Sequence, residues 1–471
     1  MRKRDMITLN LTASNIIGFD MREAARLNKL VEIFNYHQAK NVIKNKYYEG
    51  NISLDSVNLG IALPEGMKGL EIGCAWGAKT VDVLAGLSMF DGFVGVDGDD
   101  VALLDDIADK NNLIAEYQKA CRDELKYGCT FATLSADPVI GCKIRFHSPQ
   151  SAAAMWDGEK GRISCGFSIL DSVPDEMDAS QWNPSLIRYD TEDSVWLLYA
   201  SNKTIWRAQR IPHKMGRPLM EALIWNATSN KPFGRSRIKE PIRRLIDGYV
   251  RTIANATIGL EFSTAPQKFL LGITDEQYDA VVNSKFKQYV GSLIAGTTNP
   301  ETGEKPTFGQ LQQGTISPHV EMIRVLATQF SAATGLTVTD TGVVSEANPT
   351  SADAVLAQSK TLVSMAEQLN VANGNSLKII AYMAQAIIRN VGLNELDSSE
   401  LEVMAHFKNP AMPNLAATTD AAMKIATSRP AFADTDTFLE MIGFDKADIR
   451  RIKAQEQRAR GLATLVDLGV E

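Results

Sequence analysis

The sequence predicts an α+β protein in which a strand-rich segment is followed by long helices. Residues 128–224 carry short alternating apolar runs broken by Pro, Gly and Asp, whereas residues 236–391 carry long amphipathic helical stretches. The two patterns are segregated along the chain, so a doubly wound parallel sheet is not expected. With 471 residues, 45% of them apolar and 22% charged, the chain has the balance of a globular protein large enough for several domains, which excludes disordered and fibrous classes.

Taken in order, Met21–Tyr47 has helical periodicity, with Ala25, Leu27, Leu30, Ile33 and Phe34 on one stripe and Gly50 as its stop. Gly69–Asp97 alternates short apolar runs with glycines, and Asp105–Tyr127 reads as one helix. Ile140–Phe146, Ile163–Ile169 and Val195–Tyr199 read as strands. After a turn at Pro232–Gly234, Ser236 is placed to cap a helix running to about Phe262, with Ile242, Ile246, Tyr249 and Ile253 on its apolar stripe. At the rise of an α-helix that element is on the order of 40 Å long. Pro266 ends it, and strands are expected at Lys268–Ile273 and near Thr307–Leu311, with a shorter helix at Asp275–Gly291 between them.

Ser317-Pro318 opens a second long helix to about Thr334, proline being favoured in a first turn. A polar loop over Gly335–Asn348 follows, then two helices, Pro349–Ala372 and Ser376–Val391, and a strand within Leu396–Phe407. The tail from Thr418 is helical in pieces, broken at Pro430 and Gly443.

The formal net charge of −7 is opposite to what a protein gripping DNA phosphates needs, so DNA, if met, is expected to be guided rather than held. The five cysteines, Cys74, Cys121, Cys129, Cys142 and Cys165, include no C-x-x-C pair, which argues against a disulfide framework or a zinc site. No stretch is long and apolar enough to span a membrane, so no membrane partner is expected. The carboxylate groups Asp97/Asp99/Asp100 and Asp105/Asp106 read as a solvated loop and an acidic helix start, not a metal site.

Two enzyme motifs are nearly present at one place. Leu70-Glu71-Ile72-Gly73-Cys74-Ala75-Trp76-Gly77, with Asp97 further on, resembles the cofactor turn of an S-adenosylmethionine-dependent methyltransferase over residues 70–97. The same residues read as Gly73-x4-Ala78-Lys79-Thr80, a phosphate loop of a P-loop ATPase over residues 73–80 with alanine where its last glycine belongs. Trp76 and Ala78 fit neither well. The plain alternative is a strand, a turn and a helix with Trp76 in the core.

The order of segments resembles the portal proteins of long-tailed phages. The resemblance is carried by Tyr47-Tyr48-Glu49-Gly50, Trp76 with Thr80-Val81-Asp82, Gly92-Phe93 and Tyr127-Gly128. It is most specific at Pro232-Phe233-Gly234-Arg235-Ser236-Arg237-Ile238, Ile246-Asp247, Glu261-Phe262 through Gln267, and Asn348-Pro349-Thr350-Ser351-Ala352. The resemblance implies an α+β portal fold with a mixed α/β wing, a long helical stem, a small α/β clip and a helical crown. By segment, the wing is 1–235, the stem helix 236–264, the clip 265–317, the second stem helix 318–335, the tunnel loop 336–349, the wing helices 350–390 and the crown 391–471.

The implied role is non-enzymatic and without cofactor: a dodecameric ring at the capsid vertex of the virion, assembled in the host cytoplasm. Double-stranded DNA would pass through its channel during packaging and ejection. Terminase, a head-completion or adaptor protein, and the major capsid and scaffolding proteins would be its partners. Thr337, Thr339, Asp340, Thr341, Val344, Ser345 and Glu346 would then line the channel as a mobile tunnel loop. Glu321, Arg324 and Thr328 would form the channel face of the second stem helix, while Met322, Ile323, Val325, Leu326 and Phe330 pack.

Overall fold

The computed structural model describes residues 9–53, 71–95, 101–175, 182–201, 205–264, 268–271, 303, 307–310, 315–343, 352–411, 415–444 and 446–467. In chain order its elements begin with β1 (Ile16–Ile17), α1 (Ala24–Glu49), β2 (Asn51–Ser53), β3 (Glu71–Gly73), α2 (Trp76–Leu87), β4 (Phe90–Gly95), α3 (Ala102–Lys110) and α4 (Leu113–Tyr127). Strands β5 (Cys129–Asp137), β6 (Gly141–His147), β7 (Ala152–Asp157), β8 (Arg162–Pro174), β9 (Trp182–Asp190), β10 (Ser194–Ala200), β11 (Trp206–Pro212) and β12 (Met220–Ile224) follow. Then come α5 (Glu240–Thr264), β13 (Lys268–Leu271), β14 (Thr307–Gln310), α6 (Ser317–Thr334), α7 (Ala352–Arg389) and β15 (Val403–Phe407). The chain closes with α8 (Leu415–Ser428), α9 (Asp436–Ile442) and α10 (Lys446–Asp467). The predicted segregation of strands and long helices is therefore present, and the α+β class holds.

The chain divides into two compact units. One contains residues 1–36, 83–235 and 350–471, the other residues 37–82 and 236–349. Residues 37–82, read from sequence with the N-terminal segment, thus cluster with the two long helices.

In the first unit a six-stranded sheet runs β1-β11-β10-β9-β8-β7. One face is buried by the start of α1, where Leu27, Leu30 and Phe34 join Phe167, Ile187, Tyr189, Trp196 and Leu198 in a single core. Alternation along these strands produces that face, because every second side chain points the same way. A second sheet, β12-β5-β6, adds its own cluster of Phe131, Met220 and Ala222 with Ala154 and Ile163. Gly166 on β8 is glycine because a Cβ there would collide with the Met220 sulfur. The buried Arg188 carries Asp190 as its ion partner and donates from Nη2 to the Leu134 carbonyl at 2.6 Å, so its charge is matched where it is desolvated.

Two helix boundaries differ from the sequence reading, each for a side-chain reason. The helix expected over 105–127 is broken into α3 and α4, with Asn112 in the left-handed region at φ 49°. Its neighbour Asn111 is committed to the edge of β6: its Oδ1 accepts from the Ile144 N–H and its Nδ2 donates to the Cys142 carbonyl, both at 2.9 Å. Conversely, the two helices expected over 349–391 are one, α7, continuous through Asn373-Gly374-Asn375. Asn373 is buried there and donates from Nδ2 to Tyr117 Oη (2.9 Å) and Glu124 Oε2 (2.8 Å), both on α4. Those bonds offset the poor helix propensity of the Asn-Gly-Asn run. Ser88 extends the network, 2.7 Å from Tyr117 Oη and donating to Asn370 Oδ1 at 2.6 Å. Burial drives the Glu124 carboxyl up to about 8 and holds the Tyr117 phenol protonated.

In the second unit α5 packs on α6, with Ile242, Ile246, Val250 and Ala254 buried on one helix and Leu326, Ala327 and Phe330 on the other. Gly248 allows close approach, since a Cβ there would lie 3.2 Å from a Leu326 methyl. The first long helix starts at Glu240, later than expected. Ser236 still accepts the Ile238 N–H on its Oγ at 2.9 Å, and Pro241 sits in the first turn. β13 and β14 fall where the sequence places two strands and pair antiparallel, while the helix expected at Asp275–Gly291 lies outside the described residues.

All five cysteines are buried free thiols. Among the described residues no group of side chains could hold a metal ion, and no helix is long and apolar enough to cross a membrane.

Candidate functional site

The glycine-rich motif at residues 70–80 does not build a nucleotide site. In both enzyme readings the strand before the turn lies in a parallel sheet whose carboxyl ends face the ligand. Here, among the described residues, β3 pairs with β2 alone, antiparallel, with Ile52 opposite Ile72. The strand that would carry the ribose-binding end, β4, pairs antiparallel with β15. Asp97 itself lies outside the described residues.

The turn is filled by protein. Trp76, at the start of α2, is buried. A Cβ on Gly77 would collide with the Tyr47 carbonyl, so this glycine admits α1 rather than a phosphate. Cys74 donates its N–H to the Gly50 carbonyl at 2.9 Å, and burial pushes its thiol up to about 11, which makes it an inert core group. Calorimetric titration with S-adenosylmethionine or ATP is therefore expected to give no saturable heat. Saturable binding that Gly73→Val abolished would show that the turn is a cofactor site after all.

What the turn does instead is gather the long helices. The Trp76 indole packs against both Tyr249 on α5 and Phe330 on α6, with ring centroids 4.6 and 4.7 Å away. Four residues on, the Thr80 carbonyl accepts Arg237 Nε at 2.6 Å, and the same guanidinium donates from Nη2 to the Thr334 carbonyl, at the end of α6, at 2.7 Å. Tyr47 Oη donates to Asp247 on α5 at 2.7 Å, tying α1 to the same bundle. Burial lowers the Arg237 guanidinium to about 10, which still leaves it cationic at neutral pH. Neither Trp76 nor Arg237 was identified by sequence as part of a site. The one available signal was a tryptophan in a turn where small residues are wanted.

Helix α6 has three faces. Leu326, Ala327, Phe330 and Thr334 are buried on α5. The predicted polar residues Glu321, Arg324 and Thr328 share one exposed face, as their spacing requires. There Arg324 pairs with Glu321 at 2.9 Å, and Thr328 Oγ1 donates to the Arg324 carbonyl at 2.9 Å. The third face is apolar and uncovered in the subunit. Met322 and Val325, read from sequence as packing residues, are 47% and 49% exposed. At 100° per residue they lie between the polar face and Leu326, Met322 one turn before Leu326, alongside Ala332 and Ala333, which are also exposed.

The segment after α6 is more defined than its polar composition suggested. Gly335, in the left-handed region at φ 77°, caps the helix. Thr339–Thr341 form a 3-10 turn closed by Gly342 at φ 78°. The Asp340 carboxylate accepts from both the N–H and the hydroxyl of Thr337 at 2.8 Å, and Trp76 Nε1 donates to the Thr341 carbonyl at 3.1 Å. Thr337, Thr339, Asp340 and Thr341 thus sit together on one short turn. Val344, Ser345 and Glu346 lie outside the described residues.

A family model described as "Phage portal protein, SPP1 Gp6-like" matches residues 20–461. Among solved structures, the chain is similar to "Virion of native gene transfer agent (GTA) particle", at 12% identity and TM-score 0.44, over 78% of this chain and 89% of that one. It is similar to "Neck of empty GTA particle computed with C6 symmetry", at 10% identity and TM-score 0.44, over 78% and 90%. A third, "Neck of native GTA particle computed with C12 symmetry", is 11% identical with TM-score 0.41, over 78% and 89%. No curated protein matches the sequence.

Proposed function

The chain belongs to the SPP1 Gp6-like phage portal proteins, a structural and non-enzymatic family, and from that premise we propose that α5 and α6 form the stem of a dodecameric ring through which double-stranded DNA passes. The observation that carries this reading is the three-faced α6. A helix with one face buried in its own subunit needs a partner for a second apolar face, and Met322, Val325, Ala332 and Ala333 supply such a face. A neighbouring copy covers it through a different surface of its own. Such a heterologous contact closes into a ring when the rotation between copies divides a full turn.

The remaining face of α6, with Glu321, Arg324 and Thr328, then borders the channel. Its two charges are spent on one another, so it offers phosphate no net attraction. Together with a net charge of −7 on the subunit, that suits a wall along which DNA slides without sticking. In this reading 265–317 is the clip that meets terminase and later a head-completion protein, 336–349 is the tunnel loop, and 391–471 is the crown. The wing contacts capsid and scaffolding proteins, and the ring, assembled in the host cytoplasm, resides at the capsid vertex of the virion.

Negative-stain microscopy of the purified protein is expected to show closed rings with a central hole. Replacing Met322 with Lys and Val325 with Glu together should leave the subunit folded, since both are exposed in it, and shift sedimentation from rings to monomers. A wild-type protein that stays monomeric at micromolar concentration, with no rings by microscopy, would overturn the assignment.

A further inference from the structure

We propose that Trp76 is the positioning residue of the 335–343 turn, a single side chain that fixes this turn in register with α5 and α6 together. The geometry is specific to it. The indole packs against a ring from each of the two long helices, at 4.6 and 4.7 Å, and its one polar atom donates to the Thr341 carbonyl. An aromatic side chain with a polar edge can do both at once: the rings fix where the indole lies, and the N–H fixes what it holds. Phenylalanine would keep the first function and lose the second.

The turn provides the complementary half. At its start the segment is held by α6 itself, where Ser331 Oγ donates to the carbonyl of the buried Leu336 at 2.5 Å. The bonds further on are local: Asp340 to Thr337, and the N–H groups of Asp340, Thr341 and Gly342 to carbonyls three residues back. These local bonds give the turn its shape, and the Thr341 carbonyl, held from α2, sets where its far end stands against the helices.

Trp76 is in turn rigidly placed. Gly77 lies against the Tyr47 backbone, Cys74 is bonded to Gly50, and Thr80 Oγ1 donates to the Trp76 carbonyl at 2.8 Å. Through Thr80 and Arg237 the same helix grips the Thr334 carbonyl at the end of α6. The resemblance of residues 70–80 to a cofactor loop thus has a physical origin. Glycines and a tight strand-to-helix turn are needed to bring backbone close to something, and here that something is the protein's own helix and turn.

The positioning stands on these contacts alone. Its consequence for DNA rests on the channel reading above. The test is hydrogen exchange by mass spectrometry on assembled rings of wild type and Trp76→Phe. Peptides spanning 335–343 are expected to exchange about tenfold faster in the variant, while peptides of α5 and α6 exchange as in wild type. A merely structural tryptophan would loosen the helices and the turn together.

Should Trp76→Phe fail to fold, benzothienylalanine at position 76, which keeps the bicyclic shape and lacks the N–H donor, gives the same comparison. Unchanged protection of 335–343 in a folded protein without the donor overturns the proposal. So does equal loosening of turn and helices. A loosened turn supports it whatever the length of DNA packaged by particles carrying the variant, and that length tests the channel reading separately.

Discussion

Between pH 6.5 and 8 the first unit is expected to lose about 2 kcal/mol of stability, and Glu124→Gln to lose none of it. Glu124 is fully buried, is raised by that burial from its ordinary 4.5 to about 8, and takes a hydrogen bond from Asn373. Above pH 4.5 the unfolded chain releases this proton while the folded chain keeps it, so stability falls as pH rises until the folded group also titrates. His147 runs the opposite way. Buried beside Thr133 Oγ1, it is lowered from 6.5 to about 4. The unfolded chain therefore binds its proton below pH 6.5 while the folded chain does not, and stability rises with pH between about 4 and 6.5.

The two slopes are each about 1.4 kcal/mol per pH unit and oppose one another between pH 4.5 and 6.5. Above 6.5 the His147 slope has ended and the Glu124 slope remains. In Glu124→Gln the His147 slope is left unopposed, a rise of about 3 kcal/mol from pH 4 to 6.5, and the fall above 6.5 is lost. Glutamine keeps the acceptor for Asn373 and adds an N–H that can meet the Asn373 Oδ1, which is buried without a partner. Local opening energies of α4 and α7, read by native-state hydrogen exchange across this range, report both effects. A wild type whose α4 and α7 keep constant opening energies from pH 6.5 to 8 would mean that Glu124 is ionised in the fold.

The same residues show what the sequence could reveal. Periodicity marked α5 and α6, because a helix that buries one stripe must repeat that stripe. It also marked Glu321, Arg324 and Thr328 as one face. It failed at Asn111–Asn112 and at Asn373–Asn375, where both segments carry paired asparagines and the outcome is opposite. In one place an asparagine turns out to bond a strand edge and ends a helix; in the other it turns in to bond Tyr117 and Glu124 and carries a helix through. Such choices are made by partners hundreds of residues distant in places, which no local pattern encodes. The clustering of residues 37–82 with the long helices, and the joint task of Trp76 and Arg237, were hidden for that reason. Met322 and Val325 were read as residues that pack, and their exposure is informative because the subunit alone does not cover them.

Changing Asp340 and Glu346 to Lys together is expected to stall DNA translocation while rings still assemble. Each subunit would go from two negative charges to two positive ones at these positions, a change of +4, and the ring repeats that change in every copy. Lysines facing a duplex in transit release counterions as they bind phosphate, so a wall that had repelled DNA would hold it. Asp340 also shapes the turn, accepting from the Thr337 N–H and hydroxyl, and lysine cannot accept those bonds. Asp340→Asn with Glu346→Gln separates the two effects, because asparagine keeps an acceptor and removes the charge. That pair should package nearly as wild type does, whereas the lysine pair should give shortened packaged genomes, with the deficit shrinking as salt is raised, since phosphate contacts weaken steeply with ionic strength. Salt relief is the discriminating readout: a turn damaged in shape alone would stall equally at every ionic strength, and full-length packaging by the lysine pair at normal rate would place these residues away from the DNA path.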